Sequence, residues 1–384
     1  MLSLNSYEDY LKQNIEDAFS LPFEAYTSSD IFSTEVDNIF HKDWVFACSE
    51  QEIPMPGDYK VLTFLNESVM IIRQKDHSIK ALLNNCRHRG TKLLDDGRGN
   101  SKKIICPYHA WSYSNDGKLK GAPFTGNIKI EKEKHCLKGI KIESWQSLVF
   151  INFNGEAQSI AKRYSGLNRY FKAFDSSRFK YATEDSIEKW SCNWKIAMEN
   201  AMESYHLFAV HNETLEKTTP TKKAYYVEGG ADWTLTGGAI VDIKSKFMDM
   251  FKQDKYNYLD NYLLISLPPS FVGILTYDSF AWIQILPDDV GKISVISGGL
   301  SSNKGKTPKS IQDFVNKFFK EDEAICERKQ ESMKSKISSG GKLVELEKVI
   351  VDFRQYIAKY SFAAKVDSHM KSERVNDFPS DVPE

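Results

Sequence analysis

The chain lacks a stretch that could cross a membrane as a helix. Its longest apolar run, Tyr262 to Leu275, is interrupted by Pro268-Pro269 and falls short of the twenty or so residues a span requires. The N-terminus MLSLNSYEDYLKQNIEDAF carries acidic residues where a secretory signal needs an apolar segment, so a soluble cytoplasmic protein is expected. There is no excess of charge: 51 Lys and Arg stand against 52 Asp and Glu, which argues against a nucleic-acid backbone or an anionic membrane as partner. Six cysteines in 384 residues are too few for a disulfide scaffold. There is no G-x-G-x-x-G fingerprint, no Walker loop, no internal repeat and no low-complexity block, so electrons from a nicotinamide would have to come from another protein. What the chain does have is 41% hydrophobic and 12% aromatic residues, enough for a large core or two.

Three segments follow from the patterning. Residues 1–37 read as a helical arm, with Tyr7, Tyr10, Leu11, Ile15 and Phe19 at helical spacing. From 38 to 155 the sequence breaks into short β-type runs (YKVLTFL, SVMIIRQ, SIKALLN, SLVFINFN) separated by turn residues. Residues 156–384 form a third segment: helical from Trp190 to about 215, β-rich from about 222 to 300, and helical again from about 308 to 360 with a break near Ser338-Ser339-Gly340-Gly341. The tail beyond about 365 is charged and expected to be loosely held.

Within NNCRHRGTKLL and IICPYHAWSYS lie Cys86-x-His88 and Cys106-x-x-His109, 17 residues apart. Two thiolates and two imidazoles suit a tetrahedral zinc or a [2Fe–2S] cluster with both histidines on one iron, and ligand count alone does not separate them. The neighbours Arg87, Arg89, Gly90, Pro107, Tyr108 and Trp111 resemble a Rieske motif, in which neutral imidazoles make the cluster less negative and raise its potential. Cys48, Cys136, Cys192 and Cys326 have no ligand-like neighbours and read as small apolar filler; His41, His77, His135 and His369 read as surface or packing residues.

A second constellation follows Asn193-Trp194-Lys195: IAMENAMESYHLFAVHNETLE carries Glu199, Glu203, His206 and His211. On a helix Glu203 lies between the two histidines, which point about 140° apart, so the helix should distort or end near His211 if both bind one metal. Two histidines and one carboxylate leave open positions for O2, as in non-haem iron oxygenases. The third ligand is sought in SIQDFVNKFFKEDEAICERKQ, where Asp322 falls on the apolar stripe Ile311, Val315, Phe318, Ile325 and Cys326, while Asp313, Glu321 and Glu323 point about 100° or more away. Taken alone, such a polar helix face is more often a satisfied cluster than a metal site; the motif upstream reverses that weighting.

Together the two sites resemble the catalytic subunit of Rieske non-haem iron oxygenases, the aromatic-ring-hydroxylating family, from about residue 30 to 360. The resemblance implies an α+β fold: a β-rich Rieske domain followed by a catalytic domain whose curved antiparallel sheet wraps a long helix. It implies that Cys86, His88, Cys106 and His109 hold a [2Fe–2S] cluster and that His206, His211 and Asp322 hold a mononuclear Fe(II). Glu203 would act as a bridge from His206 to His109 of a neighbouring subunit in a head-to-tail homotrimer, not as a ligand.

Glu rather than Asp at position 203 resembles the branch acting on carnitine, betaines and other quaternary amines. The expected reaction is hydroxylation or N-demethylation of a small quaternary ammonium substrate with O2 and electrons from a separate NAD(P)H-dependent reductase, with or without a ferredoxin. Aromatic-ring dihydroxylation or O-demethylation is the alternative, and a non-catalytic Rieske electron carrier a further one. A cation would call for an aromatic cage, for which Tyr205, Phe271, Tyr277, Phe280 and Trp282 are the candidates, with Phe280, Trp282 and Gln284 on one strand face.

Overall fold

The computed structural model describes residues 4–241, 261–305, 309–363 and 370–371. Ile311 and His369, and the tail beyond 371, lie outside the residues whose side chains are described. The chain forms two compact units: His41–Lys162, and the described residues of Met1–Phe40 with those of Arg163–Glu384.

The 41–162 unit is all antiparallel β. Its strands are β1 (Val45–Ser49), β2 (Asp58–Phe64), β3 (Glu67–Arg73), β4 (Ile79–Leu83), β5 (Gly97–Asn100), β6 (Ile104–Ile105), β7 (Ser112–Tyr113), β8 (Leu119–Gly121), β9 (Gly139–Trp145) and β10 (Leu148–Asn152). Seven pair in the order β1-β10-β9-β4-β3-β2-β5, and β6-β7-β8 form a small second sheet. Two-residue turns with positive φ at both positions, Leu65-Asn66 and Gln146-Ser147, set the registers of β2–β3 and β9–β10. Val61, Met70, Ile72 and Leu82 from the large sheet and Ile104, Tyr113 and Leu119 from the small one enclose a core in which Cys86 and Cys106 are buried.

In the other unit, β11 (Tyr181–Ala182), β12 (Ser186–Trp190), β13 (Tyr225–Gly229), β14 (Thr234–Ala239), β15 (Asn261–Leu267), β16 (Phe271–Leu275), β17 (Ser279–Asp289), β18 (Lys292–Ser301) and β19 (Met370–Lys371) make one antiparallel sheet. Its path runs β11-β18-β17-β16-β15-β14-β13-β19, with β12 also on β18. The helices are α1 (Leu4–Leu11), α2 (Glu24–Thr27) and α3 (Ser29–Glu35) from the arm; α4 (Ile160–Arg163), where the chain passes between units; and α5 (Asn168–Ala173), α6 (Trp194–Ala201), α7 (Leu207–Val210), α8 (Lys309–Ser332) and α9 (Lys348–Phe362). The architecture is α+β, with the sheet set against the long helix α8.

The faces of this sheet follow from its register. Leu275 pairs with Phe280, Gly273 with Trp282 and Phe271 with Gln284, so these residues share one face. Tyr170 and Phe171 of α5 cover that face: Phe171 meets Phe280 edge-on at 5.2 Å, and Tyr170 donates to Glu228 at 2.7 Å. Trp190 pairs with Ile293, which pairs with Pro287, so Trp190 lies on the opposite face. There it packs against Phe319 of α8.

The arm joins this second unit through a buried polar knot. Glu35 accepts from the Tyr7 hydroxyl at 2.7 Å, the Trp194 indole at 2.9 Å and the Lys195 ammonium at 2.7 Å, and neither member of the ion pair is exposed. Burial lowers the Lys195 pKa, and the Glu35 carboxylate opposes that shift. Removing one partner of such a pair strands the other charge. Lys195→Met is expected to cost about 3–5 kcal/mol, read as a lower urea midpoint, and adding Glu35→Leu is expected to recover only part of the loss, because the buried Tyr7 hydroxyl and Trp194 indole then lose their acceptor.

Candidate metal centres

Two loops of the 41–162 unit present the Cys-His pairs in matching form. The Gly90 N–H donates to Cys86 O and the Cys86 N–H to Thr91 O; likewise the Ala110 N–H donates to Cys106 O and the Cys106 N–H to Trp111 O. Each turn closes on a residue of positive φ, +77° at Gly90 and +55° at Ala110. The thiols lie close enough to interact with each other; burial raises the Cys106 pKa, but hydrogen bonds from the Tyr108 and His109 backbone N–H groups and from the Cys86 and Thr91 side chains together bring it below its ordinary value. The His88 and His109 rings are 4.8 Å apart, with His88 stacked on Trp111. Tyr113 places its hydroxyl 3.3 Å from Cys86 Sγ and accepts from the Arg87 N–H.

The sulfurs thus form one pair and the imidazoles another, and His109 Nδ1 is buried with no hydrogen-bond partner. Among the described residues, only His206, His211 and Asp322 form a group of three or more ligand atoms converging on one point. A two-metal cluster, sulfur on one iron and nitrogen on the other, fits this quartet; a single tetrahedral zinc does not.

In the other unit α6 and α8 run antiparallel. Asn193 caps α6 by accepting from the Lys195 N–H, and its own N–H donates to Gln330 Oε1 of α8 at 2.6 Å. Seven residues along α6 and eight back along α8, rises of about 10.5 and 12 Å, Asn200 Nδ2 donates to Asp322 Oδ1 at 2.7 Å. The pairing therefore fixes where Asp322 stands.

The helix expected to continue through His206 stops at Ala201. Glu203 lies in the break, not on a helix, because its Oε2 accepts from the Tyr205 and His206 N–H groups that a continuous helix would direct to preceding carbonyls. The single turn α7 then has His206 at its start and His211 at its end. His206 Nδ1–H donates to Glu203 Oε1 at 2.5 Å, while its Nε2 faces Asp322 Oδ1 at 3.6 Å. His211 Nε2 lies 3.0 Å from the same oxygen, and the three ligand atoms fall within 4.8 Å of one another.

The projection that turned Glu321 away from this site is wrong. Its Oε2 accepts from His211 Nδ1–H at 2.8 Å and from Thr214 Oγ1 at 2.6 Å. An imidazole lying edge-on to α8 reaches residue 322 with one nitrogen and residue 321 with the other.

The aromatic cage needs correction too. Phe271, Phe280 and Trp282 lie on the α5 face of the sheet, with ring centroids 5.9–6.1 Å apart, and point away from the helices that carry the triad. Tyr277 sits at the β16–β17 turn with the Arg178 guanidinium 4.2 Å above its ring. Of the five, only Tyr205 adjoins the triad, half-exposed beside His206. Tyr262, which pairs with Gly238 on the triad side of the sheet and lies 3.5 Å from Ser204 Oγ, was missed because alternation alone does not say which strand face looks at the metal. Cys48, Cys192 and Cys326 are buried, and Cys136 is half-buried.

These two centres define a class, an iron–sulfur unit joined to a facial histidine–carboxylate site. Residues 43–134 match the Rieske [2Fe–2S] domain, and residues 176–361 match the catalytic domain of the ring-hydroxylating alpha subunit. The chain belongs to the family of Rieske non-haem iron oxygenase catalytic subunits. It is 32% identical over 199 residues to the glycine betaine monooxygenase oxygenase subunit of Pseudomonas aeruginosa, covering 52% of this chain and 46% of that protein. It is 31% identical over 228 residues to the carnitine monooxygenase oxygenase subunit of Acinetobacter baumannii, covering 59% and 61%. The chain spans about half the length of the curated relatives it matches. A solved quaternary ammonium Rieske monooxygenase, CntA, superposes with a TM-score of 0.81 at 26% identity over 92% of this chain and 98% of that one. Naphthalene 1,2-dioxygenase from Rhodococcus sp. shares the fold, with a TM-score of 0.73 at 18% identity over 94% and 98%.

Burial alone would lower the His206 pKa, but the Asp322 and Glu203 carboxylates outweigh it and push it up to about 9; burial likewise raises Asp322, and the two imidazoles outweigh it and hold it down to about 2. A metal ion must therefore displace a proton from His206 at neutral pH. Apparent Fe(II) affinity is expected to rise about tenfold per pH unit from neutrality and to level off near 9, with proton release measured by titration in weak buffer.

Proposed function

We propose that this protein is an oxygenase that uses O2 and electrons from a separate reductase to hydroxylate or N-demethylate a small quaternary ammonium compound. The observation that carries the reading is the likeness to CntA over 92% of the chain, together with the His206–His211–Asp322 group. Glu203 in place of Asp and the glycine betaine and carnitine monooxygenase relatives support the substrate class. The sheet aromatics do not, since Phe271, Phe280 and Trp282 face α5.

In this reading Cys86, His88, Cys106 and His109 hold the cluster, and His206, His211 and Asp322 hold the iron. When bound, the cluster would supply single electrons and the iron a site for O2, for the overall reaction in which RH, O2, two electrons and two protons give ROH and water; an N-hydroxymethyl product would break down to the tertiary amine, formaldehyde and a proton. The chain's own residues set the geometry. Glu203 holds His206 by Nδ1, which leaves Nε2 for the metal. Asn200 steadies the Asp322 oxygen between the two imidazoles. Tyr205, within the 203–206 break, and Tyr262, beside Ser204 of the same break, are the side chains offered to a cation.

His109, with Nδ1 buried for the cluster, keeps its other nitrogen for an acceptor, and we assign that acceptor to Glu203 of a neighbouring copy in a head-to-tail homotrimer.

Chemically reduced protein given O2 with a mixture of trimethylammonium compounds and small aromatic acids is expected to yield a demethylated or cleaved amine by mass spectrometry; a ring diol or phenol would replace the substrate class. Glu203→Gln is expected to keep both metals yet slow cluster re-oxidation by O2 in the presence of substrate. Unchanged re-oxidation would remove Glu203 from the electron path.

A further inference from the structure

Both histidines of the triad donate Nδ1–H to a carboxylate, but the two carboxylates are held differently. Glu203 is fastened by backbone N–H groups of the segment that carries His206, so ligand and partner move together. Glu321 stands on α8, next to the ligand Asp322, and reaches across to His211, 110 residues earlier in the chain. Its accepting oxygen is fixed from the other side by Thr214 Oγ1 at 2.6 Å, and the His211 ring is completely buried with Phe318 perpendicular to it at 6.3 Å.

Resting on the reading of His206, His211 and Asp322 as the iron site, we propose that Glu321 is a positioning residue for that site: it fixes the tautomer and plane of His211 and so ties two ligands from distant segments, His211 and Asp322, to one helix. The physics is that of an imidazole whose remote N–H is held by a carboxylate. The proton stays on Nδ1, the lone pair on Nε2 points at the metal position, and the carboxylate makes the ring a better donor. Thr214 sets which Glu321 oxygen is used. Glu321 is not itself a ligand, since it meets His211 on the nitrogen turned away from Asp322.

The test uses the full chain with its cluster oxidised, stripped of mononuclear iron and titrated with Fe(II) against a chelator; the electron paramagnetic resonance spectrum of the nitric oxide adduct reports ligand geometry without turnover. Glu321→Ala is expected to weaken Fe(II) binding roughly 10- to 100-fold and to broaden the adduct signal. Glu321→Gln keeps a carbonyl acceptor for Nδ1–H and is expected to recover the line shape and part of the affinity. Thr214→Val is expected to shift both readouts in the direction of the alanine variant. If the alanine variant fails to fold, the Gln and Val variants carry the same test. Glu323→Ala, which removes an acid paired with Lys320 on the same helix, is the control for general electrostatics.

Wild-type affinity and line shape in Glu321→Ala, or an equal loss in Glu323→Ala, would overturn the proposal. If instead the wild-type protein binds Fe(II) no better than Asp322→Ala, the iron site itself is misassigned, and the proposal falls with it.

Discussion

The antiparallel seam between α6 and α8 is the constraint on which the iron-binding geometry depends. At one end the Asn193 backbone donates to Gln330, and at the other Asn200 donates to Asp322. Between these bonds neither helix can slide by a residue without leaving a buried amide or carboxylate unpaired, and an unmet polar group of that kind costs more than its bond contributes. Because α6 also feeds the chain into the 202–206 break, the seam determines where the histidine segment begins. Cys192 and Cys326, both buried, line the same seam and suit it as small side chains that let the helices approach.

The two centres were legible in the sequence to different depths. Cys86, His88, Cys106 and His109 could be read because each pair lies within a few residues of one loop, and the loop's own backbone bonds do the positioning. His206, His211 and Asp322 could be read as a set from residue type and periodicity, but their arrangement could not. An ideal helix through 194–211 ignores the competing hydrogen bonds of the Glu203 side chain, which are local yet invisible to hydrophobic spacing. Glu321 was hidden by a geometric shortcut: about 100° between neighbours on a helix separates short side chains, not a glutamate from a ring that spans both positions.

The sheet shows a different limit. Alternation sorted Phe280, Trp282 and Gln284 correctly onto one face of β17, but which face meets α5 and which meets α8 is a property of the whole pairing order. That information is distributed over β12, β18 and the helices, so the aromatic cluster looked like a binding wall when it is core. The β strands of 41–162, by contrast, needed only local turns and short apolar runs to be recognised.

The placement of the 41–162 unit between residues 40 and 163 has a consequence for biosynthesis. Glu35 finds Lys195 across 160 residues, and Tyr26 finds Glu199 across 173. At about 5–20 residues per second, the arm leaves the ribosome roughly ten to thirty seconds before its partners exist. The cluster-binding unit, whose sheets close within its own span, is complete in that interval. The arm must meanwhile keep Tyr7, Leu11, Tyr26 and Ile31 from other surfaces, which makes the nascent chain, and not the finished protein, the stage at which this architecture is most exposed to aggregation.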